Sequence, residues 1–308
     1  MCDLLAVPGQ KALVIFNPIA GGRGRPLLEL VLGELQALGW NTTLIETKYA
    51  GHAEQIASTL NEETFNQPTV LVVAGGDGTL NEVVNGLANV GRLDTPIGVI
   101  PVGTVNLLAR ELKLPRDPRV LAQVISGGNF RRIALGQIAA RRQTRLFLIT
   151  AGVGFDARAV GRVSRRLKLF NGKLAFIVAG IGEYLFGKRV QYQVIVDGEA
   201  LVARSILFAN GKYYAGGMFW APAAGIERPT LEVGIFAGTG RLRVPTYVVA
   251  LMTGRLRQLH DVIVRSSTEI GLTGPSNEPV QADGDIVAFL PVNISVAPKG
   301  ARILASNR

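Results

Sequence analysis

Three glycines in four residues surround one carboxylate in Gly75-Gly76-Asp77-Gly78-Thr79, and residues of those types so spaced could handle phosphate. Glycine permits positive φ and lets a bulky group approach the backbone. On one side lies Val70-Leu71-Val72-Val73-Ala74, an apolar β-branched run that reads as a buried strand. On the other, Leu80, Val83, Val84 and Leu87 recur at helical spacing. The glycines thus occupy a strand-to-helix turn, where free N–H groups and the positive end of the helix dipole attract an anion. Thr79 and Glu82 have capping-box spacing, which puts the helix start at Thr79. Asp77 does not suit an anion site. A divalent cation, or a hydroxyl to polarise, would account for it; a tight turn with a solvated Asp is the alternative.

Two other glycine-bearing loops hold similar positions. Asn17-Pro18-Ile19-Ala20-Gly21-Gly22 follows a short apolar strand, Lys11 to Phe16, and Pro101-Val102-Gly103-Thr104-Val105-Asn106 follows the strand Ile97 to Ile100. Between them the pattern predicts a helix over Leu27 to Leu38 closed by Gly39, a strand over Asn41 to Thr47 and a helix over Gly51 to Leu60; another helix opens at Val105. Strands alternating with helices imply a parallel α/β sheet, which binds ligands beyond the carboxyl ends of its strands. All three loops lie at that end. Thr104 and Asn106 bring a hydroxyl and an amide there, or else cap their own helix. No G-x-x-x-x-G-K-[ST] loop, no H-R-D or D-F-G and no G-x-G-x-x-G is present. Gly152-Val153-Gly154 reads as a turn.

After Arg131 the texture changes to short strand-like segments: Ile133–Ala140, Arg145–Thr150, Val190–Val196, Ser205–Asn210, Leu231–Phe236, Val262–Ser266 and Ile294–Ala297. Asp197-Gly198 signals a hairpin. Two helical stretches interrupt them, about Ala157–Gly187 and Pro245–Leu259. This predicts a mostly antiparallel β domain over 131–297, after an α/β domain over 1–130.

The 308 residues are 48% hydrophobic, ample for a core, and hold one cysteine and two histidines. That excludes an internal disulfide and a Cys-based zinc site, and leaves His52 and His260 as surface or capping residues. No signal peptide is evident, and the apolar run Leu174–Phe186 is too short to span a bilayer and contains Glu183, so a cytoplasmic location is expected. The net charge is +10, and residues 131–190 hold 13 Lys/Arg against two acids. Such a surface calls for an anionic partner: nucleotide, nucleic acid or anionic lipid. Arg162, Arg165, Arg166 and Lys168 on one side of the apolar run, and Lys188 and Arg189 on the other, suit peripheral attachment to an anionic membrane, or a core helix with solvated ends.

The three loops, in this order, resemble those of the diacylglycerol kinase catalytic-domain superfamily, which holds bacterial soluble lipid kinases, sphingosine and ceramide kinases and, more distantly, NAD kinases. The resemblance is close over about the first 130 residues and patchy after them. It implies a two-domain ATP- and Mg²⁺-dependent kinase with its active site in the cleft and a tail, 298–308, returning to the first domain. Carried over residue by residue, it assigns nucleotide contacts to Asn17, Pro18, Gly21, Gly22, Thr47, Gly75, Gly76, Asp77, Gly78, Thr79, Leu80, Asn81, Thr104 and Asn106, with Asp77 also serving catalysis through the ATP-bound Mg²⁺. The family's D-G-E general base becomes Asp285 in Asp283-Gly284-Asp285. Asp keeps the carboxylate but shortens its reach. Where the family's P-x-A-x-x-x-D-G-x-L holds a structural Mg²⁺, Pro222 to Leu231 has Arg228 in place of the Asp. Arginine cannot ligate a cation but brings positive charge itself, so no structural metal is expected; Glu227 beside it, with the loop shifted, is the alternative ligand. The implied partners are a lipid with a free hydroxyl, diacylglycerol-like or sphingoid, and the membrane surface; a second copy of the chain is a further candidate, and no nucleic acid is expected. The alternatives are an NAD or polyphosphate kinase, and a catalytically weak nucleotide-binding protein.

Overall fold

The structure, a computed structural model, describes residues 10–21, 24–60, 69–141, 143–162, 182–184, 190–214, 218–240 and 242–306. The chain divides into two compact units, Met1–Ile133 with Lys299–Arg308, and Ala134–Pro298.

The first unit is an α/β layer structure. Strands β1 (Lys11–Phe16), β2 (Asn41–Glu46), β3 (Thr69–Gly75) and β4 (Pro96–Pro101) lie parallel in the order β2-β1-β3-β4. The strand Ala301–Leu304 joins β4 in parallel, and β5 (Phe130–Ile133) closes the sheet antiparallel to it. The described helices of the unit are α1 (Gly24–Ala37), α2 (His52–Ser58), α3 (Asp77–Asn89), α4 (Leu107–Glu111) and α5 (Pro118–Ser126). Val14, Phe16, Val72 and Ala74 form a core with Leu28, Val31 and Leu35 of α1 and Leu121 and Ile125 of α5. The alternate residues Ile15, Leu71 and Val73 are buried too. Burial on both faces is why these strands read as unbroken apolar runs.

The first helix starts at Gly24 rather than Leu27, and two further helix starts differ from the sequence reading for reasons the contacts show. Helix α3 begins at Asp77, with Gly76 as an N-cap that makes no side-chain hydrogen bond. The expected capping box does not form, because both its members serve other segments. Thr79 Oγ1 accepts from Asn17 Nδ2 at 2.9 Å. The Glu82 carboxylate accepts from the N–H groups of Gly51 and Ala53, at 2.8 and 3.1 Å, and so caps α2. That helix starts at a left-handed Gly51 with no side-chain cap of its own, and Glu82 fills the need. Helix α4 begins at Leu107 rather than Val105, because Asn106 adopts φ 51°.

The second unit is an antiparallel β sandwich of two six-stranded sheets. The first runs Glu199–Ala203, Tyr192–Val196, Glu269–Thr273, Val292–Val296, Gly136–Ala139, Thr144–Phe147, and the second Val262–Ser267, Leu231–Phe236, Ser205–Ala209, Thr150–Val153, Pro279–Ala282, Asp285–Phe289. Val194, Ile270 and Ile294 of one meet Val153, Ile206 and Phe208 of the other in a shared core. Leu207 and Ala209 point the other way, onto a separate cluster with Trp220, Ala250 and Leu256. Asp197-Gly198 is a two-residue turn with both φ positive, the geometry that suits a hairpin. Two runs read as single strands are divided. Ile133–Ala140 splits between β5 and Gly136–Ala139, and Arg145–Thr150 between the two sheets. Helices α6 (Phe155–Arg162) and α7 (Arg243–Met252) lie in this unit. Of the helical stretch expected over 157–187, residues 163–181 and 185–187 lie outside the described residues, and with them Arg165, Arg166 and Lys168; Lys188, Arg189 and Gly22 lie outside them too. No described helix is long and apolar enough to cross a membrane.

Candidate functional site

In the first unit the chain leaves β1 for β2 on one side and later returns as β3 on the other. That reversal is a switch point, and α/β sheets bind their ligands at such a point, beyond the carboxyl ends of the strands. The loops after β1, β3 and β4 meet there. Asn17 continues from β1, its N–H donating to Ala74 O at 2.9 Å, and its side chain reaches Thr79. Gly21 (φ 66°) lies so close to the third loop that a Cβ on it would stand 2.1 Å from Val102 O. A Cβ on Gly103 would stand 2.5 Å from Gly76 Cα. Only glycine allows these backbones to approach, and it leaves their N–H groups uncovered by side chains.

The Asp77 carboxylate ties the second loop to the third, accepting from Leu107 N–H at 2.8 Å and Leu108 N–H at 3.1 Å. Burial pushes its pKa above the ordinary carboxylate value, against the backbone N–H groups of Leu107, Leu108 and Asp77 itself, which favour the charged form. Asn106 locks the third loop by donating from Nδ2 to Pro101 O (2.9 Å) and Gly103 O (2.7 Å). Its Oδ1 is buried and has no hydrogen-bond partner among the described residues. A buried acceptor left open beside the Gly76–Gly103 approach suits a ligand with a hydroxyl or amino donor, which a nucleoside carries. The residues therefore fit a nucleotide.

Thr47 stands at the end of β2, its N–H donating to Phe16 O at 2.8 Å, and Thr104 is exposed on the third loop. Leu80 and Asn81 are buried in α3: Leu80 N–H donates to Gly76 O, and Asn81 accepts from Asn85 Nδ2. Among the described residues no three His, Cys, Asp or Glu side chains are gathered as a metal would need.

In the second unit Asp283 and Asp285 differ in their surroundings. The Asp283 carboxylate accepts from the N–H groups of Leu148, Ile149 and Thr150, at 2.6, 2.9 and 3.0 Å, from a left-handed backbone (φ 47°). Asp285 is exposed at the head of its strand. Arg228 donates from Nη1 to Ala223 O at 3.0 Å and closes its own loop.

The sequence reading missed a cavity of about 290 Å³ between α6, α7 and the second sheet. Leu207, Met218, Phe236, Val244, Tyr247 and Leu251 make its wall mostly apolar. Two carboxylates, Asp156 and Glu183, also line it, with Arg158, Arg204 and Arg243. Asp156 accepts from the Tyr214 hydroxyl and, at 2.5 Å, from Gln281 Nε2. Burial raises the pKa of Asp156, and burial with the facing carboxylate raises that of Tyr214 well above the ordinary phenol. An acid at the first turn of a helix following Gly154 (φ 93°) was the available sequence signal; its partners, 58 and 125 residues away, carried none.

Residues 11–138 match the diacylglycerol kinase catalytic domain, and residues 149–305 the YegS C-terminal NAD kinase beta sandwich-like domain. A diacylglycerol kinase of Staphylococcus carnosus is 28% identical over 287 residues, covering 92% of this chain and 91% of that one. One from Staphylococcus saprophyticus is 32% identical over 204 residues, 66% of this chain and 64% of its own. A solved diacylglycerol kinase structure from Bacillus anthracis shares the fold, with a TM-score of 0.72 at 21% identity, covering 96% of this chain and 97% of that one. With both domain models matched in order along one chain, this protein belongs to the diacylglycerol kinase family, a kinase family of transferases.

Proposed function

We propose that the protein is an ATP-dependent lipid kinase that phosphorylates the free hydroxyl of a diacylglycerol-like or sphingoid lipid. The observation that carries the lipid reading is the mostly apolar cavity of the second unit, where Glu183 is paired with arginines and Asp156 is held by the neutral Tyr214 and Gln281. An acyl chain suits such a wall, and a buried acceptor beside it can orient a hydroxyl; NAD would bring two ribosyl phosphates to a mostly apolar surface. The name of the staphylococcal relatives supports diacylglycerol as the acceptor.

The nucleotide reading rests on the three loops. N–H groups at the start of α3 favour phosphate, Asn106 Oδ1 offers an acceptor, and Asp77 and Asn17 hold the loops in register. ATP, when bound, supplies the phosphoryl group. The acceptor oxygen forms the new bond to phosphorus as the bond to the ADP oxygen breaks, and the hydroxyl proton passes to a carboxylate, for which Asp285 is our candidate. The test is incubation with γ-labelled ATP, Mg²⁺ and separate diacylglycerol, sphingosine and NAD acceptors. Label in a lipid supports the proposal; label in NAD alone overturns it, and no label at all favours a nucleotide-binding protein.

A further inference from the structure

Helix α7 lines the lipid cavity with one face, through Val244, Tyr247 and Leu251, and turns a second apolar face outward. Leu242, just before it, is 79% exposed, Val249 59% and Met252 72%. Pro245 and Thr246 share that outer face, and the helix's only charged side chain is Arg243. A surface helix ordinarily turns a charged or polar face to water, so an apolar outer face calls for a cover. Val248 lines the cavity and is also 46% exposed, which places it on the cavity's rim.

Charge identifies the cover. From Gly238 to His260 the sequence has four arginines and no acid. Arg243 pairs with Asp261 (3.2 Å) and Arg257 with Glu232 (3.1 Å), while Arg255 is exposed with no carboxylate in ion-pair reach among the described residues. Three exposed apolar side chains are too few for a stable dimer, which buries roughly 800 Å² per partner. They suffice for a helix lying in a bilayer interface, with arginines at the headgroups.

We infer that α7 is the membrane-docking element: its outer face, Leu242, Val249 and Met252, enters an anionic lipid surface and sets the cavity rim at Val248 against the bilayer. The inference rests on the lipid-kinase reading for what the cavity takes up, but the docking itself is separable from it.

The experiment uses the full chain with phosphatidylcholine vesicles, with and without phosphatidylglycerol. Substitution V249W places a reporter on the outer face. Its emission should shift to the blue with the phosphatidylglycerol vesicles and return as salt rises. The triple variant L242Q/V249Q/M252Q should bind those vesicles about tenfold or more weakly, from the lost apolar burial. It should still phosphorylate a short-chain, monomeric diacylglycerol at the wild-type rate, with an unchanged melting temperature. No shift in V249W, together with undiminished vesicle binding by the triple variant, overturns the inference. So does a triple variant that turns a dimer into a monomer and binds vesicles as before. A protein that shifts and sediments with vesicles but labels no lipid supports the docking surface and counts against the kinase reading.

Discussion

The carboxylate of Asp77 caps a helix that starts thirty residues later in the chain, accepting from Leu107 N–H at 2.8 Å and Leu108 N–H at 3.1 Å. This bond fixes the third glycine loop to the second. In Asp77→Asn one of the two amides faces an NH₂ group and loses its acceptor. Stability should fall by about 1–2 kcal/mol, the usual cost of losing an N-cap. Affinity for ATP should fall with it, read by urea denaturation and nucleotide titration on one preparation. Unchanged stability would remove Asp77 from this positioning role.

The Gly76–Gly103 approach gives a steric prediction. In Gly103→Ala the new methyl would stand 2.5 Å from Gly76 Cα, so the loops must part. The expected cost is about 1–3 kcal/mol of stability, with a marked loss of nucleotide binding. Asn106→Ala should weaken nucleotide binding as well, since it removes the open Oδ1 and both loop-locking donors. Wild-type ATP affinity in both variants would mean the nucleotide binds elsewhere.

Asp156 predicts a pH dependence. Its folded pKa is raised by burial, so over a window above the ordinary carboxylate value the folded state holds a proton that the unfolded state has released. The Asp156 contribution is then fully present at low pH and is lost as pH rises through the raised folded pKa. The stability difference between wild type and Asp156→Asn should shift in favour of wild type as pH falls across that window. Urea midpoints at a series of pH values measure it, and a flat difference contradicts it.

Substitutions at Asp285 and Asp283 should give different effects. If Asp285 takes the hydroxyl proton, Asp285→Asn should lower turnover by about 10² to 10⁴ and leave ATP affinity unchanged. Asp283→Asn should instead destabilise the protein, because three N–H groups depend on that carboxylate. Initial rates and melting temperatures of the two variants decide between the roles.

Much of the first unit was legible in the sequence, because buried parallel strands need unbroken apolar runs and glycine loops mark their ends. The strand Lys11–Phe16 and the close of α1 before Gly39 (φ 82°) stand where the pattern put them. Local spacing misled at Thr79 and Glu82, whose partners are Asn17 and the start of α2. A capping box is a local motif, and tertiary contacts outbid it here. Asn106 was legible as a loop residue, but not its left-handed backbone or its open acceptor. The cavity was illegible, because its walls come from α6, α7 and the second sheet, whose apolar residues carry no mark of which face they line.

Photolabelling tests the account most directly. A photoreactive ATP analogue and a diazirine-bearing diacylglycerol are each crosslinked to the full chain, and the adducts are mapped by mass spectrometry. The account predicts nucleotide adducts in peptides holding Asn17–Gly21, Gly75–Thr79 or Gly103–Asn106, and lipid adducts in those holding Asp156, Leu207 or Val244–Leu251. Each set should be suppressed by its own unlabelled ligand. Adducts of both probes outside these segments, equally suppressed by competition, would contradict it.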